Sequence, residues 1–402
     1  MNPVLAFVIV MLVWTISDFV AKKTKSLLSS LFVASIIFLI GFLTGIFPED
    51  LLTSSSLLAL AGVVVGFVIV HLGTMISLED FKKQWRTLLV GIATVIGIGV
   101  ALLIAGLIFG GGIHPGTYDA VAARPLDFVV AGVGALSGGT ISVIIVQEAA
   151  LGAGLTAVAI FPVLIAALQG LVGFPLTSII LRREAARLKG EYRAGNISAP
   201  ADAEEQVKAE GRLPAPLRTT AGTLFIVGVV VLISILINNV TDGILNTFVV
   251  ALLFGIALRT FGIFKPSILN GIDAFGLMMI AILILIFGPL ATVNAGDLAR
   301  LALPLLICFA FGVAGIAGFA ALTGKLLGYS VSMSIAIGLT ALFGFPGTMV
   351  LSQEAAKGAG ESAEEVAAIE HEILPKMIVA GFSTVTITSV VVTSIIAGHI
   401  GG

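Results

Sequence analysis

Long apolar runs separated by short polar or glycine-rich segments follow one another along the chain. They cover residues 4–20, 27–46, 56–76, 87–110, 126–154 and 155–181, and after a polar stretch at 196–218 they resume at 220–237, 244–258, 271–290, 301–323, 330–360 and 373–397. An α-helix rises about 1.5 Å per residue and the hydrocarbon core of a bilayer is about 30 Å thick, so runs of this length predict spanning helices. Two of them, 126–154 and 330–360, are broken at midlength by glycines. Broken backbone at that depth is costly unless it lines a protein-walled cavity, so these two runs predict re-entrant hairpins. The stretch at 196–218 holds Pro200, Pro214 and Pro216 among Ala, Asp, Glu and Gln, and reads as a linker between a first repeat at 1–195 and a second at 219–402.

Composition agrees with this reading. Hydrophobic residues make up 58% and charged residues 11% of 402 positions, and the mean hydropathy is +1.15. These values describe a polytopic membrane protein with lipid as its main surroundings and exclude nucleic acid as a natural partner. The single cysteine, Cys308, lies in an apolar run and allows neither an intramolecular disulfide nor a cysteine metal cluster. The start, Met1-Asn-Pro-Val, lacks a basic segment, so the first run is expected to stay as a span.

Lys and Arg set the expected topology. Lys22, Lys23 and Lys25 follow the first run, Lys82, Lys83 and Arg86 the third, and Arg182, Arg183, Arg187, Lys189 and Arg193 the run at 155–181. Because basic loops stay on the cytoplasmic side, the N-terminus is expected outside. If 126–154 crossed fully, the last cluster would fall outside; as a hairpin, it leaves the cluster inside, and the hairpin is the reading adopted. Each half then has an odd number of crossings, so the second half enters from the opposite face. Arg259, Lys265 and Lys325 fall inside, Arg300 with Asp297 is the exception, the linker is cytoplasmic and both termini are outside. The expected fold is an all-α polytopic membrane protein, an inverted repeat of two halves, each about five transmembrane helices plus one re-entrant hairpin.

Duplication is written in the sequence itself. Residues 147–154 (QEAALGAG) and 353–360 (QEAAKGAG) agree at seven of eight positions, each following a glycine-containing break. At the breaks, Ser137, Gly138, Gly139 and Thr140 in the first hairpin, and Pro346, Gly347 and Thr348 in the second, form a candidate substrate site. Glycine admits a ligand close to the main chain, the hydroxyls offer contacts, and a helix N-terminus presents unpaired N–H groups to an anion. The plainer alternative is that the glycines serve close helix packing. Gln147, Glu148, Gln353 and Glu354 follow on the outgoing arms. A carboxylate roughly 9 to 12 Å beyond a tip is a candidate for ion coupling or gating, or is simply solvated in a vestibule. His71 reads as a hydrogen-bonded packing residue, and Glu370-His-Glu372 as part of a solvated acidic segment. The sequence has no His-Glu-x-x-His, no Walker A loop and no nucleophile elbow, and no enzyme is expected.

The chain resembles the sodium/glutamate symporter family over most of both halves. The likeness is carried by Leu136-Ser-Gly-Gly139 with Thr140, by Leu171-Val-Gly-Phe-Pro175, by Leu301-Ala-Leu-Pro304 and by Phe343-Gly-Phe-Pro-Gly-Thr348. More distantly, the layout is similar to that of the 2-hydroxycarboxylate (citrate-type) transporters. The resemblance implies sodium-coupled import of a small anionic solute by a homodimer, with tip residues carried over to Ser137, Gly138, Gly139, Thr140, Gly347 and Thr348. The chain departs from the family at the first tip, where Gly139 runs straight into Thr140, and at the second, which carries Phe345-Pro346. The expected function is therefore a secondary transporter of glutamate or a related carboxylate or amino acid. The alternatives are a proton-coupled carrier of another solute and a channel or sensor on the same frame.

Overall fold

A computed structural model describes residues 1–113, 123–198, 212–241, 244–270, 272 and 274–402. Most of the linker expected at 196–218, and Asp273, lie outside the described residues. Every regular element described is helical, and eight apolar helical stretches are long enough to cross a bilayer. This is the architecture of a polytopic membrane protein.

Helix α1 (Pro3–Lys23) starts where the Asn2 side chain accepts the Val4 and Leu5 N–H groups, and it ends on Lys22 and Lys23. It is followed by α2 (Ser30–Leu43), the single turn α3 (Leu51–Ser54), α4 (Leu57–Met75), the short α5 (Leu78–Lys83) and α6 (Trp85–Ile113). The first hairpin is α7 (Pro125–Leu136) and α8 (Thr140–Gly152), after which α9 (Thr156–Arg193) closes the first half. The second half opens with α10 (Thr220–Val240), α11 (Thr247–Thr260) and α12 (Phe275–Ile284), continues with α13 (Ala295–Leu326), and forms its hairpin from α14 (Val331–Leu339) and α15 (Gly347–Ala359). Its last run is α16 (Ala363–Phe382) and α17 (Ser389–Ala397), joined by a π-helical turn at Ser383–Thr388.

The two halves repeat one another's neighbours. α1 packs on α2 as α10 does on α11, α6 on α7 as α13 on α14, and α8 on α9 as α15 on α16. Each hairpin also packs across the halves, the first on α17 and the second on α9. The longest seam joins α6 to α13. There a Cβ on Gly97 would stand 2.6 Å from the Gly315 carbonyl oxygen, and one on Gly315 would stand 2.3 Å from the Gly97 oxygen. Only glycine lets the two backbones approach this closely.

Several elements differ from the expected runs in length or bounds. The runs at 27–46 and 244–258 yield helices of 14 residues each, about 21 Å long and so shorter than a usual span. The run at 155–181 continues as one helix of 38 residues to Arg193, and the last run begins at Ala363 rather than near 373. Those extensions meet. Lys189 Nζ lies 2.5 Å from Glu361, Arg193 lies 2.7 Å from both Glu361 and Glu365, and the Ser362 hydroxyl accepts the Glu365 N–H. Glu370-His-Glu372 is thus helical, with Glu372 2.7 Å from Lys376. The run at 271–290 also loses α-helical form, becoming a 3₁₀ turn at Gly288–Thr292 where Pro289 supplies no N–H.

Candidate functional site: a cavity at two broken helices

The backbone between α7 and α8 turns at Gly138 and Gly139, with φ of 84° and 89°, values that only glycine adopts without strain. A Cβ on Gly138 would sit 2.4 Å from the Ala341 carbonyl oxygen, and one on Gly139 would sit 2.2 Å from that of Val385. Ala341 belongs to the 3₁₀ turn Thr340–Leu342 that ends α14, and Val385 to the π-helical turn. The tips of both hairpins and the wound-out segment of the last helix therefore meet.

Hydroxyl contacts hold this meeting point. The Thr340 and Thr384 hydroxyls are 3.3 Å apart, and Thr340 and Thr384 also donate to the Ile337 and Ala380 carbonyls at 2.7 Å each. Ser142 and Ser389 share a hydrogen bond of 2.8 Å, and Ser389 also bonds the Val385 carbonyl at 2.8 Å. Side chains thus fix the π turn to the second hairpin through Thr384, and the start of α17 to the first through Ser389.

Beside the tips lies a cavity of about 710 Å³. Gly138, Gly139, Thr140 and Gln147 line it from the first hairpin, and Ala341, Phe343, Phe345 and Pro346 from the second. Among the described residues, no charged side chain lines it; the polar ones that do are Ser35, Thr140, Gln147, Gln169, Asn246 and Thr292. Gln169 Oε1 is buried and accepts no hydrogen bond. At the start of α8 no side chain caps the helix, and the first N–H groups of a helix have no intrahelical acceptor. That end therefore carries free donors and a partial positive charge. The start of α15 is less open: Pro346 has no N–H, and the Thr348 and Met349 N–H groups bond the Gly344 and Pro346 carbonyls at 3.0 and 3.1 Å.

The candidate residues from the sequence separate into groups. Gly138, Gly139, Thr140, Pro346 and Gln147 line the cavity. Ser137, Gly347 and Thr348 are buried behind it; Ser137 donates to the Gly134 carbonyl at 3.1 Å, and the Thr348 hydroxyl has no partner. Glu148 is exposed and is not among the residues that line the cavity. Gln353 donates to Glu370 at 3.1 Å. One oxygen of Glu354 accepts both the Ser30 N–H, at 3.0 Å, and the Ser30 hydroxyl, while its main-chain oxygen accepts the Ser26 hydroxyl at 2.9 Å. Glu354 thus caps the start of α2 from another element, and its second oxygen is buried without a partner. His71 is a packing residue: its Nδ1 accepts the Leu269 N–H at 3.1 Å, and its ring meets Phe275 edge-on.

Gln169, Asn246, the Gly288–Thr292 turn and the π turn at Ser383–Thr388 were not anticipated. Each leaves a mark in the sequence: a lone amide within an apolar run, a cap before α11, a Gly-Pro pair, and a run of Ser and Thr within the last span. No protein-family model matches the chain, and no curated protein matches it in sequence.

Proposed function

We propose that the chain is a secondary transporter that carries a small solute through this cavity by alternating access. The observation that carries the reading is the convergence of both hairpin tips and the π turn on one cavity. Broken helices that line a shared space are how membrane proteins bring main-chain donors and acceptors to a solute without exposing them to lipid. The uncapped start of α8 and the hydroxyl of Thr140 suit a carboxylate, the amides of Gln147, Gln169 and Asn246 suit further polar groups, and the apolar walls suit the solute's carbon body.

Glutamate or a related small carboxylate or amino acid is the first cargo to test, on the strength of the family resemblance. Sodium is the coupling ion by the same resemblance. The neighbouring hydroxyls of Thr340 and Thr384, 3.3 Å apart, are the oxygen ligands this reading assigns to such an ion. A specific observation favours proton coupling as the second reading: the buried, unpartnered oxygen of Glu354 is a place where a proton can reside. In this proposal the halves are inverted across the membrane and the hairpins are re-entrant. Arms of 12 and 13 residues, about 18 to 20 Å each, suit a half-membrane path. The homodimer implied by the resemblance has the exposed apolar outer faces of α1 and α10 available to it, Val8 and Leu232 among them.

The test is uptake of labelled glutamate, with aspartate and dicarboxylates as competitors, into proteoliposomes under an imposed sodium or proton gradient. Accumulation under sodium, lost in Thr140→Val, is expected. Dissipative flux without accumulation would instead make the chain a channel. Absence of uptake and competition under either gradient would remove glutamate-like anions as cargo.

A further inference from the structure

A second pocket, of about 450 Å³, opens where α5 passes into α6 and where Tyr329 and α16 come against them. It is unlike the central cavity in its chemistry. Among the described residues, Lys83, Arg86, Lys376 and His371 line it together with one carboxylate, Glu372, which Lys376 contacts at 2.7 Å. Lys376 is paired with Glu372, while Arg86 lies over the Trp85 ring with no carboxylate partner among the described residues and gives the pocket a positive group. Its wall is built rather than incidental: Gln84 is buried and accepts the Thr87 hydroxyl at 2.7 Å, and Thr87 in turn meets the Tyr329 hydroxyl at 2.9 Å. That chain of hydrogen bonds joins the first half to the base of the second hairpin.

The position of the pocket narrows the choice of ligand. Trp85 begins one of the long apolar helices, is 52% exposed, and carries the Arg86 guanidinium 5.6 Å from its ring. Leu88 and Leu89, one turn further into the helix, are also exposed. An exposed Trp beside basic residues at the polar end of an apolar helix belongs at the level of lipid headgroups. The basic residues lie on the side that the distribution of Lys and Arg assigns to the cytoplasm, where the leaflet carries anionic lipid.

We propose that this pocket is a binding site for a phosphate-bearing anion, with Arg86 and Lys376 as its principal ligands and an anionic phospholipid headgroup as its expected source. Binding there ties α6 of the first half to Tyr329 and α16 of the second. The lipid then acts as a clamp on elements that flank the second hairpin, distinct from the cargo cavity.

The experiment uses the full chain in detergent with Trp14→Phe, which leaves Trp85 as the reporter, since the sequence has two tryptophans. Short-chain phosphatidylglycerol, short-chain phosphatidylcholine and inorganic phosphate are titrated in turn while Trp85 fluorescence is followed. A saturable change with phosphatidylglycerol but not phosphatidylcholine is expected, weakened about fivefold in Arg86→Gln and again in Lys376→Gln, as about 1 kcal/mol per basic residue requires. If inorganic phosphate saturates the same signal and displaces the lipid, the site stands and its source is the free anion. Equal responses to both lipids, no response to any of the three, or equal affinity in wild type and both variants would overturn it. Circular dichroism on each variant separates lost binding from lost fold.

Discussion

The two hairpins share an octet at seven of eight positions but use it differently. In the first, Gln147 faces the cavity, Glu148 is exposed, and the start of α8 is uncapped beside the cavity. In the second, Gln353 is bonded to Glu370, Glu354 caps α2, and the N–H groups at the start of α15 turn back on their own loop. Both bases are tied to the other half. Arg124 and Asp127 bond the main chain at His399 and Gly401, while Glu361 and Glu365 bond Lys189 and Arg193. Among the described residues, the first arm is also bonded near its tip, Ser142 to Ser389, and the second at midlength, Glu354 to Ser30. Duplication supplies the same residues twice, and the neighbours decide whether they meet the solute or anchor the frame.

The largest expected effect separates the tips. Gly139→Ala places a Cβ 2.2 Å from the Val385 oxygen at a φ of 89°, whereas Gly347→Ala meets the Phe343 ring at 2.8 Å and the Phe174 ring at 3.3 Å, with no positive φ. The first is expected to cost about 2 to 4 kcal/mol and to abolish the proposed uptake, the second about 1 kcal/mol. Unfolding midpoints in detergent, read beside uptake, check the order, and the reverse order would contradict the geometry.

The next effect separates the carboxylates. Glu354→Ala removes the acceptor for the Ser30 N–H and hydroxyl and is expected to cost about 1 to 3 kcal/mol. Glu148→Ala, at an exposed position, is expected to change stability by less than about 0.5 kcal/mol. Chemical denaturation of the two variants decides the matter, and equal losses would mean that the arms are anchored alike.

The smallest effect is one of pH. Hydrogen bonds from Lys189 and Arg193, followed by their charges, hold the Glu361 carboxyl down at about 2, below its ordinary 4.5. Because the folded value is depressed, the contact contributes fully above pH 4.5 and is lost as pH falls from there toward 2. The unfolding midpoint of wild type is expected to fall through that window by more than that of Glu361→Gln. Parallel curves would show that this exposed contact contributes nothing.

Much of the frame was legible because it depends on local pattern. Run length and hydropathy mark most of the long apolar helices, and the Gly138-Gly139 and Pro346-Gly347 breaks mark the gap between α7 and α8 and the start of α15. Features that depend on distant partners were not legible. The continuation of α9 to Arg193 and the early start of α16 coincide with ion pairs between residues about 170 positions apart, which no window along the sequence contains. The roles of Gln353 and Glu354 are set in the same way, by Glu370 and Ser30. The π turn and the start of α17 rest on hydroxyl contacts from the second hairpin to Thr384 and from the first to Ser389, so their Ser and Thr residues read in sequence only as unusually polar for a span.

The central claim is that the first hairpin presents its tip to the cavity while the matching residue of the second is buried. It is tested most directly by thiol reactivity in a Cys308→Ala background, comparing Thr140→Cys with Thr348→Cys against a water-soluble maleimide. Thr140 is exposed and lines the cavity, whereas Thr348 is 0% exposed. Rapid labelling of Thr140→Cys with Thr348→Cys inert is the predicted result; labelling of Thr348→Cys with Thr140→Cys inert would contradict it.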